Sequence, residues 1–321
     1  MLVDRIAHVA VGVGPHLDAS LRFYGELLGV VQVGQSDTTV YLAGGRKPSY
    51  DIAIGPWDPG LHHIAFEVGS EADLERAEAR LRTAGAYVEE IDPADEHGVE
   101  SGIRFILPSG HLMELVVVSG SRVFPGTPML DRRHFVGVGP TALEHVSLNL
   151  DDVADTASFL GETLDFRVTE YSRGAGQDWY LAFTRARELH HDLGLFRNGP
   201  GDSGPKLNHY GFVVQSVGDL VRAADIARGL GVFLQCSPGR HLIGDNIFVY
   251  IADPAGNRVE IATPLARVEA AAPTRVFDAT DDSEWIGNFD AWRESMPPAA
   301  RTALPCFDAR TGADRRSDVS A

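Results

Sequence analysis

"LNHYGFVVQSVGDLVRAADIARGLGVFLQC", residues 207–236, decides the fold, because the chain carries the pattern twice. Its counterpart at 61–90 reads "LHHIAFEVGSEADLERAEARLRTAGAYVEE". Each begins as a short apolar strand, turns into an amphipathic helix, and returns through glycine to a second apolar strand. The echo continues in "IRFILPSGHLMEL" (103–115) and "IFVYIADPAGNRVEI" (247–261). At one offset of 146 residues, Pro108 matches Pro254, Gly110 matches Gly256 and Glu114 matches Glu260. Each Pro/Gly pair predicts a tight turn between two strands.

A weaker echo joins the other two quarters. "IAHVAVGVG" and "SLRFYGELLGV" within 6–30 resemble "LEHVSLNLDDVADTASFLGETLDF" at 143–166. The chain therefore reads as four βαβββ modules, near 5–56, 61–119, 143–198 and 207–263, with helices at 17–28, 71–84, 152–162 and 217–229. A module this small cannot bury both faces of its sheet, so pairing of modules is expected. The expected class is α+β, with domains at 1–130 and 131–321 joined through 119–142. From about residue 264 the period is lost; Trp285 and Trp292 suggest that part of this tail packs down, and the last residues are expected to be mobile.

Composition narrows the partners. With 45 acidic and 28 basic residues the formal charge is −17. Nucleic acid or an anionic membrane would need a basic footprint, so neither is expected. No apolar run reaches the roughly 20 residues that span a bilayer. Asp4 comes too early for a secretory leader, and no small-residue cleavage site follows. Cys236 and Cys306 make no disulfide framework and are compatible with a reducing cytosol, so a cytoplasmic location is expected.

His209 and Glu260 stand in the fourth module and His145 on the first strand of the third. Two imidazoles and a carboxylate on one face of a metal are the ligand set of non-haem Fe(II), with positions left open. An isolated histidine in a strand is more often a satisfied core residue, so the trio is weighed with its neighbours. "ELHHDLGLF" (188–196) puts His191 on a strand with Leu193 and Leu195, opposite His190, and "PGRHLIGDNIFVY" (238–250) adds His241 and Tyr250. A histidine near a metal-bound oxygen can move protons at neutral pH, and a tyrosine hydroxyl can donate to that oxygen.

Together "GLHHIAFEV", "LEHVSLNL", "HHDLGLF", "GPKLNH", "LNHYGFVV" and "PGRHLIGDNIFVYIADPAGNRVEI" resemble the type I extradiol ring-cleaving dioxygenases, the catechol 2,3-dioxygenase group of the vicinal oxygen chelate superfamily, over about residues 5–263. The resemblance implies two glyoxalase-like barrel domains, 1–130 being non-catalytic and 131–321 catalytic. It implies metal ligands His145, His209 and Glu260, an acid–base His191, and substrate-side His191, His241, Asn246 and Tyr250. It further implies Fe(II), with Mn(II) as alternative, a catechol and O2 as substrates, and a homo-oligomer, often a tetramer. The product would be of the 2-hydroxymuconic-semialdehyde type. The rival readings are a glyoxalase-like isomerase, which would need a second glutamate where histidine stands, and a non-enzymatic aromatic-binding protein, which usually lacks the complete trio.

The first half has its own trio, His8, His63 and Glu114, with the same 51-residue gap between its second and third members. Shifted back by 146, His241 and Tyr250 fall on Asp95 and Arg104; shifted back by about 136, His191 falls near Gly55. The trio is therefore read as an echo of duplication, without the proton-handling set. For the substrate, the resemblance implies arginines near the pocket of members that take a carboxylate-bearing catechol, and Cys236 and the acidic "DDSEWIGN" (281–288) stand at the corresponding positions here. A neutral catechol is expected, subject to where Arg173 and Arg240 point.

Overall fold

The computed structural model describes residues 2–44, 49–118, 136–174, 176, 178–278 and 303–307. The expected boundary at 130/131, most of 119–142, both tail tryptophans, "DDSEWIGN" and the last residues lie outside the described residues. The first module comprises β1 (Arg5–Gly12), α1 (Leu17–Phe23), β2 (Val31–Gln35), β3 (Val40–Ala43) and β4 (Ile52–Gly55). The second comprises β5 (Gly60–Glu67), α2 (Glu71–Thr83), β6 (Val88–Ile91), β7 (Val99–Ile106) and β8 (Leu112–Val118). The third has β9 (Ala142–Leu150), α3 (Val153–Leu164), β10 (Arg167–Arg173), β11 (Trp179–Arg185) and β12 (Leu193–Arg197). The fourth has β13 (Lys206–Val213), α4 (Val217–Gly229), β14 (Leu234–Arg240), β15 (Ile247–Ala252) and β16 (Arg258–Ala262). The short strands β17 (Arg275–Asp278) and β18 (Leu304–Pro305) follow.

These are the four βαβββ modules that the repeat predicts, in an α+β fold. The helices start where the sequence can cap them. Ser70 accepts from the Asp73 amide (3.3 Å), Asp152 from the Asp155 amide (3.0 Å), and Ser216 and Asp219 close a reciprocal box. The first helix departs from the continuous helix expected over 17–28: after Phe23 it widens into a π-helical turn, Tyr24–Leu28. Gly25 lies inside that turn, where an α-helix gains least from its residue, and Gly29 ends it at φ 77°. Gly110 (φ 90°) and Gly256 (φ 95°) make the two matching turns.

Modules pair through their first strands. β1 runs antiparallel to β5, and β9 antiparallel to β13, giving sheet orders β2-β3-β4-β1-β5-β8-β7-β6 and β14-β15-β16-β13-β9-β12-β11-β10-β17. Within each module the first and last strands are parallel neighbours. The edges of each sheet do not pair with one another among the described residues, so each barrel is open.

One apolar core runs through both halves, from Phe23, Leu27 and Phe66 to Leu148, Phe212 and Ile261. Between them sits a buried polar knot. The Tyr24 hydroxyl donates to Asp253 Oδ2 (2.7 Å) and meets the Tyr210 hydroxyl, and Asn257 Nδ2 donates to Asp253 Oδ2 and to the Gly12 carbonyl (both 2.9 Å). Residues 303–307 cross from one half to the other. Leu304 and Pro305 pair with β13, the Cys306 amide donates to Pro205 O (3.0 Å), and the Phe307 amide to Leu61 O (3.0 Å). A Cβ on Gly60 would fall 1.8 Å from Pro305 O, so the crossing needs glycine there.

Replacing Tyr24 with Phe leaves Asp253 and Tyr210 short of a partner in a dry interface, which costs about 1–3 kcal/mol. Urea unfolding of Tyr24→Phe is expected to show that loss as a lowered midpoint; an unchanged midpoint would mean that the knot does not hold the halves together.

Candidate active site

In the C-terminal sheet, three adjacent strands bring one row of residues together. Glu260 on β16 stands beside Gly211 on β13, and Gly211 beside His145 on β9. His209 precedes Gly211 by two residues and so shares its face. A Cβ at position 211 would lie 2.2 Å from His145 Cε1 and 2.6 Å from each ring nitrogen. Glycine alone leaves the imidazole its place. His145 Nε2 then lies 3.2 Å from His209 Nε2 and 3.3 Å from Glu260 Oε2, and His209 Nε2 lies 2.9 Å from Glu260 Oε2. All three side chains are buried.

The trio fits a divalent metal. Bonds of about 2.0–2.2 Å at near right angles put neighbouring ligand atoms about 3 Å apart, as they stand here. The lone pairs are also aimed. His209 Nδ1 lies 2.8 Å from Asn208 Oδ1, which accepts from Arg258 as well (3.1 Å), so Nδ1 carries the proton and Nε2 is left as the ligand atom. Asn246 Nδ2 donates to Glu260 Oε1 (2.8 Å), and Oε2 faces the imidazoles. Burial pushes His209 down to about 4. Glu260, against the effect of burial, is held well below the usual carboxylate range by His145 and His209. For His145, burial opposes the charge, but the Glu260 carboxylate outweighs it and raises the pKa. The cluster is organised to receive positive charge.

Histidines flank the trio on both sides. The sequence reading places His191 on a strand and His190 on the opposite face; both instead lie in the loop before β12, and both are buried. Asp192 shapes that loop by accepting from the Ala186 amide (2.8 Å) and from Arg187 Nε (2.7 Å). The bent backbone frees both rings from strand alternation. The His191 ring stands edge-on to His145 at 4.9 Å and rests on Phe183 at 4.6 Å. Its Nδ1 is 2.8 Å from His190 Nδ1, and His190 Nε2 is 3.1 Å from Glu170 Oε1. Burial, with His145 and His190 nearby, pushes the His191 imidazole well down and so favours its neutral form. Across the site Tyr250 stands beside Glu260, its hydroxyl 3.3 Å from His241 Nε2. His241 stacks on Phe248 at 3.8 Å. Burial, then the Glu260 charge, raise Tyr250 well above its ordinary value and keep it a hydroxyl donor.

The structure thus gathers His145, His209, Glu260, His191, His241, Asn246 and Tyr250 around one point, although they come from β9, β13, β15, β16 and two loops. It adds Gly211, Glu170, Phe183 and Phe248, which spacing did not single out. It also corrects one correspondence between the halves. Val9 pairs with Ile52 as Val146 pairs with Leu193, so the counterpart of His191 is Tyr50, not Gly55.

Comparison with known proteins finds related domains in both halves. Residues 142–261 match the Glyoxalase/Bleomycin resistance protein/Dioxygenase superfamily, and residues 61–118 match the Catechol 2,3-dioxygenase-like N-terminal domain. The two halves thus carry domains of these two types. Similar proteins include a manganese-dependent 2,3-dihydroxybiphenyl 1,2-dioxygenase of Geobacillus genomosp. 3, 27% identical over 81% of this chain and 84% of that protein. A metapyrocatechase of Pseudomonas sp. (strain CF600) is 27% identical over 81% of this chain and 85% of that protein. Among solved structures, the 2,3-dioxygenase LapB from Pseudomonas sp. KL28 superposes with a TM-score of 0.79 at 25% identity, covering 87% of this chain and 98% of that one. Homoprotocatechuate 2,3-dioxygenase from Arthrobacter globiformis shares the fold, with a TM-score of 0.82 at 23% identity, covering 95% and 93% of the two chains.

Gly211→Ala tests the cradle. The added methyl displaces the His145 ring, and metal affinity at this centre is expected to fall about 10–100-fold, the usual effect of disturbing a ligand's support. Titration of the apoprotein with a divalent metal measures it; unchanged affinity would show that the ring does not need the glycine.

Proposed function

We propose that this chain cleaves a catechol ring with O2 beside the two hydroxyls, at a metal held by His145, His209 and Glu260. The observation that carries the reading is the pairing of an open-faced trio with His191 on one side and His241 and Tyr250 on the other, each within reach of the same point. The names of the relatives support it. Fe(II) is the proposed ion and Mn(II) the alternative that the same ligands accept. A metal held by His145, His209 and Glu260 would supply Lewis acidity toward a catechol and a redox-capable centre for its reaction with O2.

The chain's own part follows from the geometry. The neutral His191 accepts a proton from the substrate and returns it later in the cycle, and His190 with Glu170 fixes the orientation of its ring. Tyr250 and His241 hold the substrate from the other side, the former donating its hydroxyl proton. Asn246 lines this side and keeps the Glu260 carboxylate turned. The walls are apolar: Leu181, Phe183 and Ile243 pack together on one flank, and Phe248 with Cys236 on the other. Arg240 is engaged with Asp245, through Oδ1 (2.7 Å) and the carbonyl (3.1 Å), and this supports a neutral catechol as substrate. Arg173, at the end of β10 with a buried Nε that has no hydrogen-bond partner among the described residues, adds nothing to that support. Residues 131–321 form the proposed catalytic domain and 1–130 the non-catalytic one. A cytoplasmic homo-oligomer completes the proposal, its size measurable by light scattering.

Anaerobic reconstitution with Fe(II), followed by catechol and air, is expected to give a yellow ring-fission product with one O2 consumed per catechol. No product from several catechols, with iron bound, would overturn the reading. His191→Ala is expected to keep its metal and turn over about 10²–10⁴-fold more slowly, the scale of a positioned acid–base group. If that variant loses the metal, His191 is a ligand instead.

A further inference from the structure

We propose that the N-terminal half holds a second divalent cation, on His8, His63, Glu96 and Glu114. The strand pairings repeat the C-terminal row: His8 on β1 stands beside Ala65 on β5, and Ala65 beside Glu114 on β8. His8 Nε2 and His63 Nε2 are 3.2 Å apart, the same separation as the C-terminal imidazole pair. Glu114 Oε2 lies 3.6 Å from the first nitrogen and 3.4 Å from the second. Glu96, from the turn before β7, closes the set at 3.8 Å from each histidine. One donor atom from each of the four residues lies within 4.8 Å of the others, and all four residues are buried.

A second observation points to a ligand. Glu114 Oε1 accepts from Arg104 (2.7 Å from Nε, 2.6 Å from Nη2), whereas Oε2 is wholly buried and has no hydrogen-bond partner among the described residues. A carboxylate oxygen left without a partner in a dry site is costly, and this one is aimed at two imidazole nitrogens. Arg104 occupies the position of Tyr250 and does for Oε1 what Asn246 does for Glu260 Oε1: it turns the other oxygen inward. When both are ionised, two carboxylates against one guanidinium carry a net negative charge, which a divalent cation reverses.

The site differs from the C-terminal one in being closed. Ala65 puts a methyl where Gly211 has none, and the trio is looser by a few tenths of an ångström. Glu96 supplies the fourth ligand. Tyr50, in the place of His191, stacks on His8 at 4.2 Å, with its hydroxyl 2.9 Å from His8 Nε2 and bonded to Glu96. Four protein ligands and a covering ring match the closed pattern of a structural ion. Two imidazoles with two carboxylates suit a first-row divalent metal such as Zn(II), Fe(II) or Mn(II).

The test counts metal in the full-length protein, reconstituted anaerobically with Fe(II) or Zn(II) and dialysed against a weak chelator. Wild type is expected to retain about two ions per chain, and His145→Ala/His209→Ala about one. His8→Ala/His63→Ala, or the milder Glu96→Gln, is expected to lose the other. In His145→Ala/His209→Ala, whose N-terminal half is intact, Zn(II) should raise the melting temperature by a few degrees and EDTA should reverse the rise. One ion in wild type and none in His145→Ala/His209→Ala overturns the proposal, and the wild-type count depends on no variant's folding. One ion in wild type that His145→Ala/His209→Ala retains would instead support this site and overturn the metal assignment in the other half.

Discussion

The chemistry of this protein hangs on a hydrogen atom. At position 211 the strand pairing sets a residue between His145 on one side and Glu260 on the other, and any side chain there would occupy the space of the His145 ring. Because successive residues alternate faces, His209 is delivered to the same side two positions earlier. A shift of one residue in the β9–β13 register would turn the histidines away from each other and from Glu260. The hydrophobic pattern that holds this register is also the core of the domain, with Leu148, Tyr210, Phe212 and Ile261 all fully buried. Stability and ligand geometry are thus fixed by the same strand alignment.

Duplication supplied two such rows, and the environment of each has diverged. Around the C-terminal trio the neighbours are a neutral amide, a phenol and imidazoles, groups that can donate or accept as a bound molecule requires. Around the N-terminal trio they are Arg104, Glu96 and Tyr50, which satisfy one another and close the space. The same three ligand types therefore sit in one setting suited to exchange of substrate and in another suited to permanence. The difference is written in the residues around each trio, among them Glu96, the proposed fourth ligand of the N-terminal half.

Much of this was legible in the sequence. The repeat located four modules, their helices and the strands that carry both trios, because apolar periodicity and the Pro/Gly turns survive duplication. The row itself was not legible. Gly211 is one glycine among 34, and its necessity appears only when the residue opposite it on another strand is known. His191 was assigned to a strand because "HHDLGLF" alternates well; Asp192 captures the Ala186 amide and bends the chain instead. The offset that pointed to Gly55 failed because the β10–β11 hairpin, 167–185, is longer than its counterpart β2–β3, 31–43, so only the pairings with Val9 and Val146 reveal Tyr50. Spacing in sequence locates strands well and loop residues poorly, since a loop's reach is set by its folded path.

The crossing made by residues 303–307 has a consequence for the order of events. These residues follow both sheets in the chain, yet they lie along β13 and against Leu61, with Phe307 stacked on His62 beside the N-terminal histidines. A chain emerging from the ribosome can pair β1 with β5, and later β9 with β13, as each half becomes available. The space beside Gly60 is filled by Pro305 only after both halves exist. The last stitch between the two halves is therefore placed by the segment synthesised after everything it joins.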